Sequence, residues 1–266
     1  LTCDTPLPRE ISGDEHDGLS VRIGNPMLQE DPTRHRALER IFKNAVLNVE
    51  EMLAGKTVLT SSPRQLGIDM HGVCNVKPPC VYCDWDFAKE QEGEFVDTPF
   101  TADTLREYGP FYTKSQELVN CSIGEPFMMR QFDDLMDTFA SDGKALEVTT
   151  NGQILTDRNI QKLVGRGIEL YISLDAATEE TYAKLRNNTF SRLIDNVRRL
   201  VSAKGGPGRG PFVNLVFMPM RANVHELEAF IELCADLRPD RVILRPLNAT
   251  FSDLQWERGG YRFSYE

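Results

Sequence analysis

The chain has 266 residues, 41% of them hydrophobic, at a mean hydropathy of -0.36. That is core material for one large domain or one and a half, and no run approaches the ~18 apolar residues of a membrane helix. Acidic residues outnumber basic ones 40 to 30, for a net charge of -10, which argues against non-specific binding to nucleic acid or anionic membrane.

The opening Leu1-Thr2-Cys3-Asp4 has neither the basic start nor the apolar middle of a secretory signal, and it lacks an initiating Met, as a trimmed chain would. The glycosylation triplets at Asn120, Asn187 and Asn248 therefore read as chance. Clustered thiols without a secretion signal fit a reducing interior, so the expected compartment is the cytoplasm. Residues 1–30 are rich in Pro, Gly and charge and read as an arm. A helix is expected next, with Asp31 as N-cap, Pro32 in its first turn and Gly55 ending it. Leu38, Ile41, Phe42, Ala45, Val49, Met52 and Leu53 share one face, which predicts an amphipathic helix packed outside the main domain. Residues 1–62 thus form an N-terminal extension.

Beyond Pro63 the pattern becomes strand, loop, helix, repeated. Strands are predicted over Gln65–Met70, Leu118–Ile123, Ala145–Thr149, Ile168–Leu174, Pro211–Met218 and Arg241–Leu244. Between them lie helices over Thr101–Lys114, with a break at Gly109-Pro110, then over Met128–Ala140, Asp157–Arg166 and Val224–Leu237. A further pair starts at Thr178 and presents Leu193, Ile194, Val197, Leu200 and Val201 on one face of its second member. Residues 205–210 read as a flexible Gly-rich connection. Such alternation implies parallel pairing through right-handed crossovers, and strands such as Leu170–Leu174 are nearly continuous in apolar residues, as when both faces are covered. A barrel and an open doubly wound sheet both satisfy this pattern, and both place function at the carboxyl ends of strands. Cys74, Glu125, Asn151, Asp175 and Arg245 all follow predicted strand ends, so five strands aim polar side chains at one rim.

Cys74, Cys80 and Cys83 are three of the six cysteines and are spaced C-x5-C-x2-C. Thiolates so close together suit zinc or an iron–sulfur cluster. Zinc would need a fourth ligand, for which His71 is nearest, whereas a cubane on three thiolates leaves one iron open. A disulfide with a spare thiol, or plain core packing, is the remaining reading, and spacing alone leaves all of these open. Cys3, Cys121 and Cys234 are isolated, and the last two read as buried core thiols.

Taken in order, these motifs resemble the radical S-adenosylmethionine (radical SAM) superfamily over about residues 66 to 247. Cys80-Val81-Tyr82-Cys83 is similar to the family's C-x-aromatic-C. Cys121-Ser122-Ile123-Gly124-Glu125-Pro126 resembles its Gly-Gly-Glu-Pro, with Ile in place of the first Gly. Val148–Gly152, then Ile172-Ser173-Leu174-Asp175 followed by Tyr182 and Arg186, resemble the third and fourth strands of the SPASM/twitch-type subgroup, whose members modify peptides or small molecules. The cysteine loop departs from the usual C-x3-C-x2-C by two residues, with Pro78-Pro79 just before Cys80, and no Cys-rich C-terminal extension follows.

The resemblance implies an α/β fold: an incomplete parallel (β/α)6 TIM-like barrel over residues 63–247, with an N-terminal helical extension and a tail or further segment over 248–266. It implies that Cys74, Cys80 and Cys83 bind a [4Fe-4S] cluster whose open iron is chelated by S-adenosylmethionine. Reductive cleavage then yields a 5′-deoxyadenosyl radical that abstracts hydrogen from substrate. The backbone of Gly124-Glu125-Pro126 would accept the methionine ammonium, and Ser173 with Arg186 its carboxylate. Tyr82 and the Arg245-Pro246-Leu247 backbone would border the adenine, and Asn151 and Asp175 would reach ribose hydroxyls or substrate. The substrate is expected to be a peptide or amino acid, with a sugar, nucleotide-sugar or other natural-product precursor as the alternative. An electron donor such as flavodoxin or ferredoxin is the implied partner, and a non-catalytic metal-binding scaffold of the same fold is the rival to any enzyme. Plainer roles stand beside these: Glu125 as a helix N-terminal carboxylate, Asp175 as a cap, Arg186 as a dipole complement or surface ion pair, Met218 and Met220 as core fillers.

Overall fold

A computed structural model describes residues 32–68, 73–83, 101–120, 124–206, 209–247, 256–258 and 261–263. Its centre is a parallel sheet of six strands in sequential order: β1 (Gln65–Ile68), β2 (Glu117–Asn120), β3 (Ala145–Thr150), β4 (Ile168–Ser173), β5 (Phe212–Phe217) and β6 (Arg241–Leu244). Each strand pairs only with its sequence neighbours, so the sheet is an open (β/α)6 array with β1 and β6 at its edges.

The helices are α1 (Pro32–Leu53), α2 (Ala102–Glu107), α3 (Pro110–Lys114), α4 (Phe132–Ser141), α5 (Asp157–Leu163), α6 (Glu179–Arg186), α7 (Phe190–Ala203) and α8 (Leu227–Leu237). The predicted break at Gly109-Pro110 separates α2 from α3, and Thr101 and Thr104 form a reciprocal cap at the start of α2. The helix expected over Met128–Ala140 starts later. Glu125 and Pro126 first open a separate 3-10 turn over Pro126–Met128, and α4 begins only at Phe132. Likewise a 3-10 turn, Val224–Glu226, precedes α8. The first two strands are shorter than expected within the described residues, and His71, Cys121 and Cys3 fall outside them.

Alternation along the strands builds one core. Ile68, Leu118, Leu146, Val148, Leu170, Ile172, Leu215 and Phe217 bury against Phe139 of α4, Ile160 of α5, Tyr182 of α6, Val197 and Leu200 of α7, and Phe230 of α8. Helices α4 to α8 all join this one cluster, which selects the barrel-like arrangement over the doubly wound one. The alternate positions carry Glu147, Thr149, Glu169, Tyr171, Ser173 and Asn214, so the expectation of strands apolar on both faces is corrected. Tyr171 and Asn214 nevertheless stay buried, with Asn214 donating to Glu169 and to the Leu170 carbonyl.

Helix α1 also departs from its expected face. Ala37, Ile41, Asn44 and Glu51 are its buried side chains, while Phe42, Val49, Met52 and Leu53 are exposed. The reason is polar. Asn44 pairs with both the carbonyl and the N–H of Ser62, at 2.9 and 2.7 Å, and Glu51 accepts from the N–H groups of Thr60 and Ser61 and the Thr60 hydroxyl. Those bonds fix the helix to the segment that enters β1, and they outweigh the apolar stripe. Gly55 does end this region, at a φ of 67°.

Trp256–Arg258 and Tyr261–Phe263 form an antiparallel pair, β7 and β8, within the segment expected to be a tail or the start of a further segment. Gly259-Gly260 between them was the available hairpin signal. Among the described residues, no helix is long and apolar enough to cross a membrane.

Candidate active site

The last turn of α6 anchors the cysteine loop. An α-helix leaves its final carbonyls without intrahelical partners, and here the loop supplies them: the Val81 N–H donates to the Leu185 carbonyl at 2.9 Å, and the Cys80 thiol to the Arg186 carbonyl at 3.8 Å. Asn187 caps the helix in the left-handed conformation, with φ 50°, and its amide donates to the Pro79 carbonyl at 2.7 Å. The Cys83 N–H closes a turn onto the Cys80 carbonyl. Within the first gap of the loop, the Lys77–Pro78 bond is cis.

The other end of the loop is tied to β2 and β3. The Glu125 N–H donates to the Val73 carbonyl at 2.8 Å. The buried Glu125 carboxylate accepts from the Thr150 hydroxyl at 2.7 Å, the Asn151 N–H at 2.8 Å and the Phe127 N–H at 3.4 Å. Burial pushes its pKa up to about 7, against the pull of those donors. Glu125 is therefore the N-cap of the 3-10 turn and a brace between strand ends, and its carbonyl also accepts the Met128 N–H at 3.0 Å. The Asn151 amide donates to Asn75 at 2.8 Å and lies 3.8 Å from the Cys74 sulfur, while its oxygen accepts from Gln153 N–H. Gly152 follows at φ 71°, where a Cβ would collide with Leu193 and Ile172, so the Asn-Gly pair packs directly on α7.

Asp175 occupies the centre. It is fully buried, with φ 56°. One carboxylate oxygen accepts the Met218 N–H at 2.7 Å; the other accepts both the Tyr82 hydroxyl at 2.6 Å and the Arg186 Nε at 2.7 Å. It is not a cap, because Thr178 caps α6. Asn151 and Asp175, expected to reach ribose or substrate, thus also make these bonds within the protein. Nor is Arg186 a surface ion pair, since its side chain is 7% exposed. Its guanidinium carbon lies 5.4 Å from the centre of the Tyr82 ring.

Ser173 ends β4 nearby, nearly buried, and among the described residues its hydroxyl has no hydrogen-bond partner. Tyr82 packs with Val81 and Leu185 in a small cluster joined by Cys80, Met218, Met220 and Leu247, so the two segments expected around adenine do meet. The methionines belong to that cluster and not to the main core. Arg245 points elsewhere, its guanidinium carbon 5.1 Å from the ring of Tyr171, although its N–H continues the ladder to the Phe217 carbonyl. Sequence reasoning missed Asn75, Thr150 and Asn223, whose amide holds the Asp175 and Met218 carbonyls at 2.9 Å each. Short polar residues beside motif positions were the only signal for them.

Burial raises the Cys74 and Cys80 thiols, the latter to about 11, and the nearby Arg186 charge opposes the shift at both. Cys83 and Cys74 add to the upward shift of Cys80 electrostatically. Among the described residues no three Cys, His, Asp or Glu converge as a single metal ion requires. A cubane does not ask for that, because it spreads its thiolate ligands over separate irons.

The sequence profile of the radical SAM superfamily matches residues 68–234, more than half of the chain. The chain belongs to the radical SAM superfamily. That superfamily works with a [4Fe-4S] cluster and S-adenosylmethionine as cofactors. The tungsten-containing aldehyde ferredoxin oxidoreductase cofactor-modifying protein of Pyrococcus furiosus is 22% identical over 187 residues, covering 69% of this chain and 51% of that protein. Streptococcus suis SuiB bound to its precursor peptide SuiA matches at a TM-score of 0.58 and 15% identity, over 90% of this chain and 48% of SuiB. The enzyme anSMEcpe with bound AdoMet and the Cp18Cys peptide matches at 0.58 and 14%, over 77% and 55% of the two chains. At these identities the structural likeness concerns the fold, and this radical SAM chain spans about half the length of the relatives it matches.

Proposed function

We propose that this chain is the catalytic core of an enzyme that uses S-adenosylmethionine to abstract hydrogen from a peptide or amino-acid-type substrate, with residues 63–247 as that core. Cys74, Cys80 and Cys83 would hold the cluster. When bound, the cluster and S-adenosylmethionine supply a reductively generated carbon radical, and the protein supplies placement and charge. The observation that carries this reading is the meeting of the Cys80 thiol with Arg186. Its carbonyl receives the Cys80 thiol, its guanidinium is fixed through Nε, and among the described residues neither terminal amino group has a hydrogen-bond partner, which suits a carboxylate ligand. Ser173 would share that carboxylate, the backbone of Gly124-Glu125-Pro126 would accept the ammonium, and Tyr82 with Pro246 and Leu247 would flank the adenine. The peptides bound by SuiB and anSMEcpe support a peptide substrate. The polar sheet face of Glu147, Glu169, Tyr171 and Asn214 keeps a sugar-like precursor as the second reading. A flavodoxin or ferredoxin would serve as electron donor.

Arg186 gives the graded test. Losing one partner of a buried charge pair costs on the order of 2–5 kcal/mol, and ~1.4 kcal/mol is tenfold in affinity. Arg186→Ala is expected to weaken S-adenosylmethionine binding at least tenfold on anaerobic, reconstituted protein, with Arg186→Lys between it and wild type because it keeps charge but loses the fork. Iron content should not change. Wild-type affinity in Arg186→Ala would refute the assignment. Deuterium carried from labelled peptides into 5′-deoxyadenosine tests the substrate class, and transfer from sugars alone would favour the second reading.

A further inference from the structure

Asp175 has more constraints than a buried acid needs for its own neutralisation. Besides the three donors on its carboxylate, its N–H donates to the Val216 carbonyl at 3.2 Å and its carbonyl accepts from Asn223 at 2.9 Å. All this holds a non-Gly residue in the left-handed region, a conformation that persists only where the surroundings over-determine it and that concentrates at functional sites. The two side chains it joins come from different elements. Tyr82 stands between Cys80 and Cys83 in the cysteine loop, and Arg186 ends α6. One oxygen accepts from both, so the ring and the guanidinium cannot move independently.

We propose that Asp175 is a positioning residue that couples the methionine-carboxylate site to the cluster loop, orienting Arg186 through Nε while holding Tyr82 in register with it. The inference rests on Arg186 binding that carboxylate. By occupying Nε, Asp175 fixes the guanidinium plane and with it the direction of the end-on pair of terminal N–H groups. By taking the Tyr82 proton into the same oxygen, it sets the loop that carries Cys80 and Cys83 against that plane. An amide cannot replace it, since an NH2 group would face one of the donors.

The test is a double-mutant cycle on S-adenosylmethionine binding to anaerobic, reconstituted protein, with iron content measured alongside. At metal sites, loss of a partner that orients a ligand typically costs about 10–100-fold, and the lower end serves as the scale here. Asp175→Asn is expected to weaken binding by about that factor, and Tyr82→Phe by less in the same direction, both with wild-type iron. In an Arg186→Ala background, Asp175→Asn should add nothing, because its route to the ligand is already gone. A merely structural Asp175 would instead show its full effect in that background, and this result would overturn the proposal. So would wild-type affinity in both Asp175→Asn and Tyr82→Phe while Arg186→Ala binds weakly. Wild-type affinity in Arg186→Ala would remove the carboxylate reading itself, a distinguishable failure. If Asp175→Asn does not fold, Tyr82→Phe alone and combined with Arg186→Ala decides the same question.

Discussion

Glu125 brings three donors and full burial to one carboxylate, and the two act in opposite directions. Burial penalises the charged form, the donors from Thr150, Asn151 and Phe127 favour it, and burial wins, taking the group from 4.5 to about 7. The folded protein therefore holds this proton more tightly than the unfolded chain does. Stability from Glu125 is complete below the unfolded value, falls as pH rises between 4.5 and about 7, and is level above. The displacement corresponds to at most about 3 kcal/mol. Urea unfolding at several pH values should show wild type losing stability across that window, and Glu125→Gln should lose this pH dependence while being less stable throughout, since one donor then faces an NH2 group. An unchanged slope in Glu125→Gln would assign the dependence to another group. Position along the chain was enough to single out Glu125, Asn151, Asp175 and Arg186. Which side-chain atoms face inward was not, because it depends on partners 11 to 93 residues away, such as Arg186 and Tyr82 for Asp175.

Elements were legible where local chemistry decides them. Pro110 after Gly109 breaks a helix, Thr178 caps one, and short apolar runs between helices mark strands, so the sequential β/α order could be read directly. The buried face of α1 could not, because Asn44 and Glu51 look like surface residues until Thr60–Ser62 folds back to meet them. A second long-range tie of this kind fastens α7 to β6. Lys204, the C-cap of α7, pairs with Asp240 just before β6, both side chains almost fully buried. Asp240 also accepts the Val213 N–H at 2.7 Å and donates its own N–H to the Val213 carbonyl at 2.9 Å. Removing one partner of a buried pair leaves a desolvated charge, so Lys204→Met should destabilise by about 3 kcal/mol, and Lys204→Met with Asp240→Leu should recover part of that loss. Chemical denaturation measures both. S-adenosylmethionine affinity should stay at the wild-type value, since this clamp lies at the opposite end of β5 from Met218. A double variant less stable than Lys204→Met would show that Asp240 matters chiefly as an acceptor for Val213.

Across the whole molecule, the candidate site exists because sequential parallel strands deliver loops to one rim and a single helix end collects them. The cysteine loop hangs from the α6 terminus through Leu185, Arg186 and Asn187, and from β2 and β3 through Val73 and Asn75. These anchors are made by backbone groups and amides, not by sulfur, apart from weak contacts of Cys74 and Cys80. The loop should therefore keep its path when a thiol is lost, while cluster binding should not survive. Anaerobic reconstitution should load about four irons per chain on a single cubane. Cys74→Ala, Cys80→Ala and Cys83→Ala should each lose the cluster and its brown colour, yet unfold thermally within a few degrees of the protein without its cluster, since a half-buried thiol contributes little packing. The thiols must also ionise to bind metal, and burial with raised Cys74 and Cys80 opposes that, so assembly should release protons and slow at low pH. Retention of four irons in any one of the three variants would require a ligand from elsewhere in the chain. Zinc uptake without iron would return the loop to a structural role.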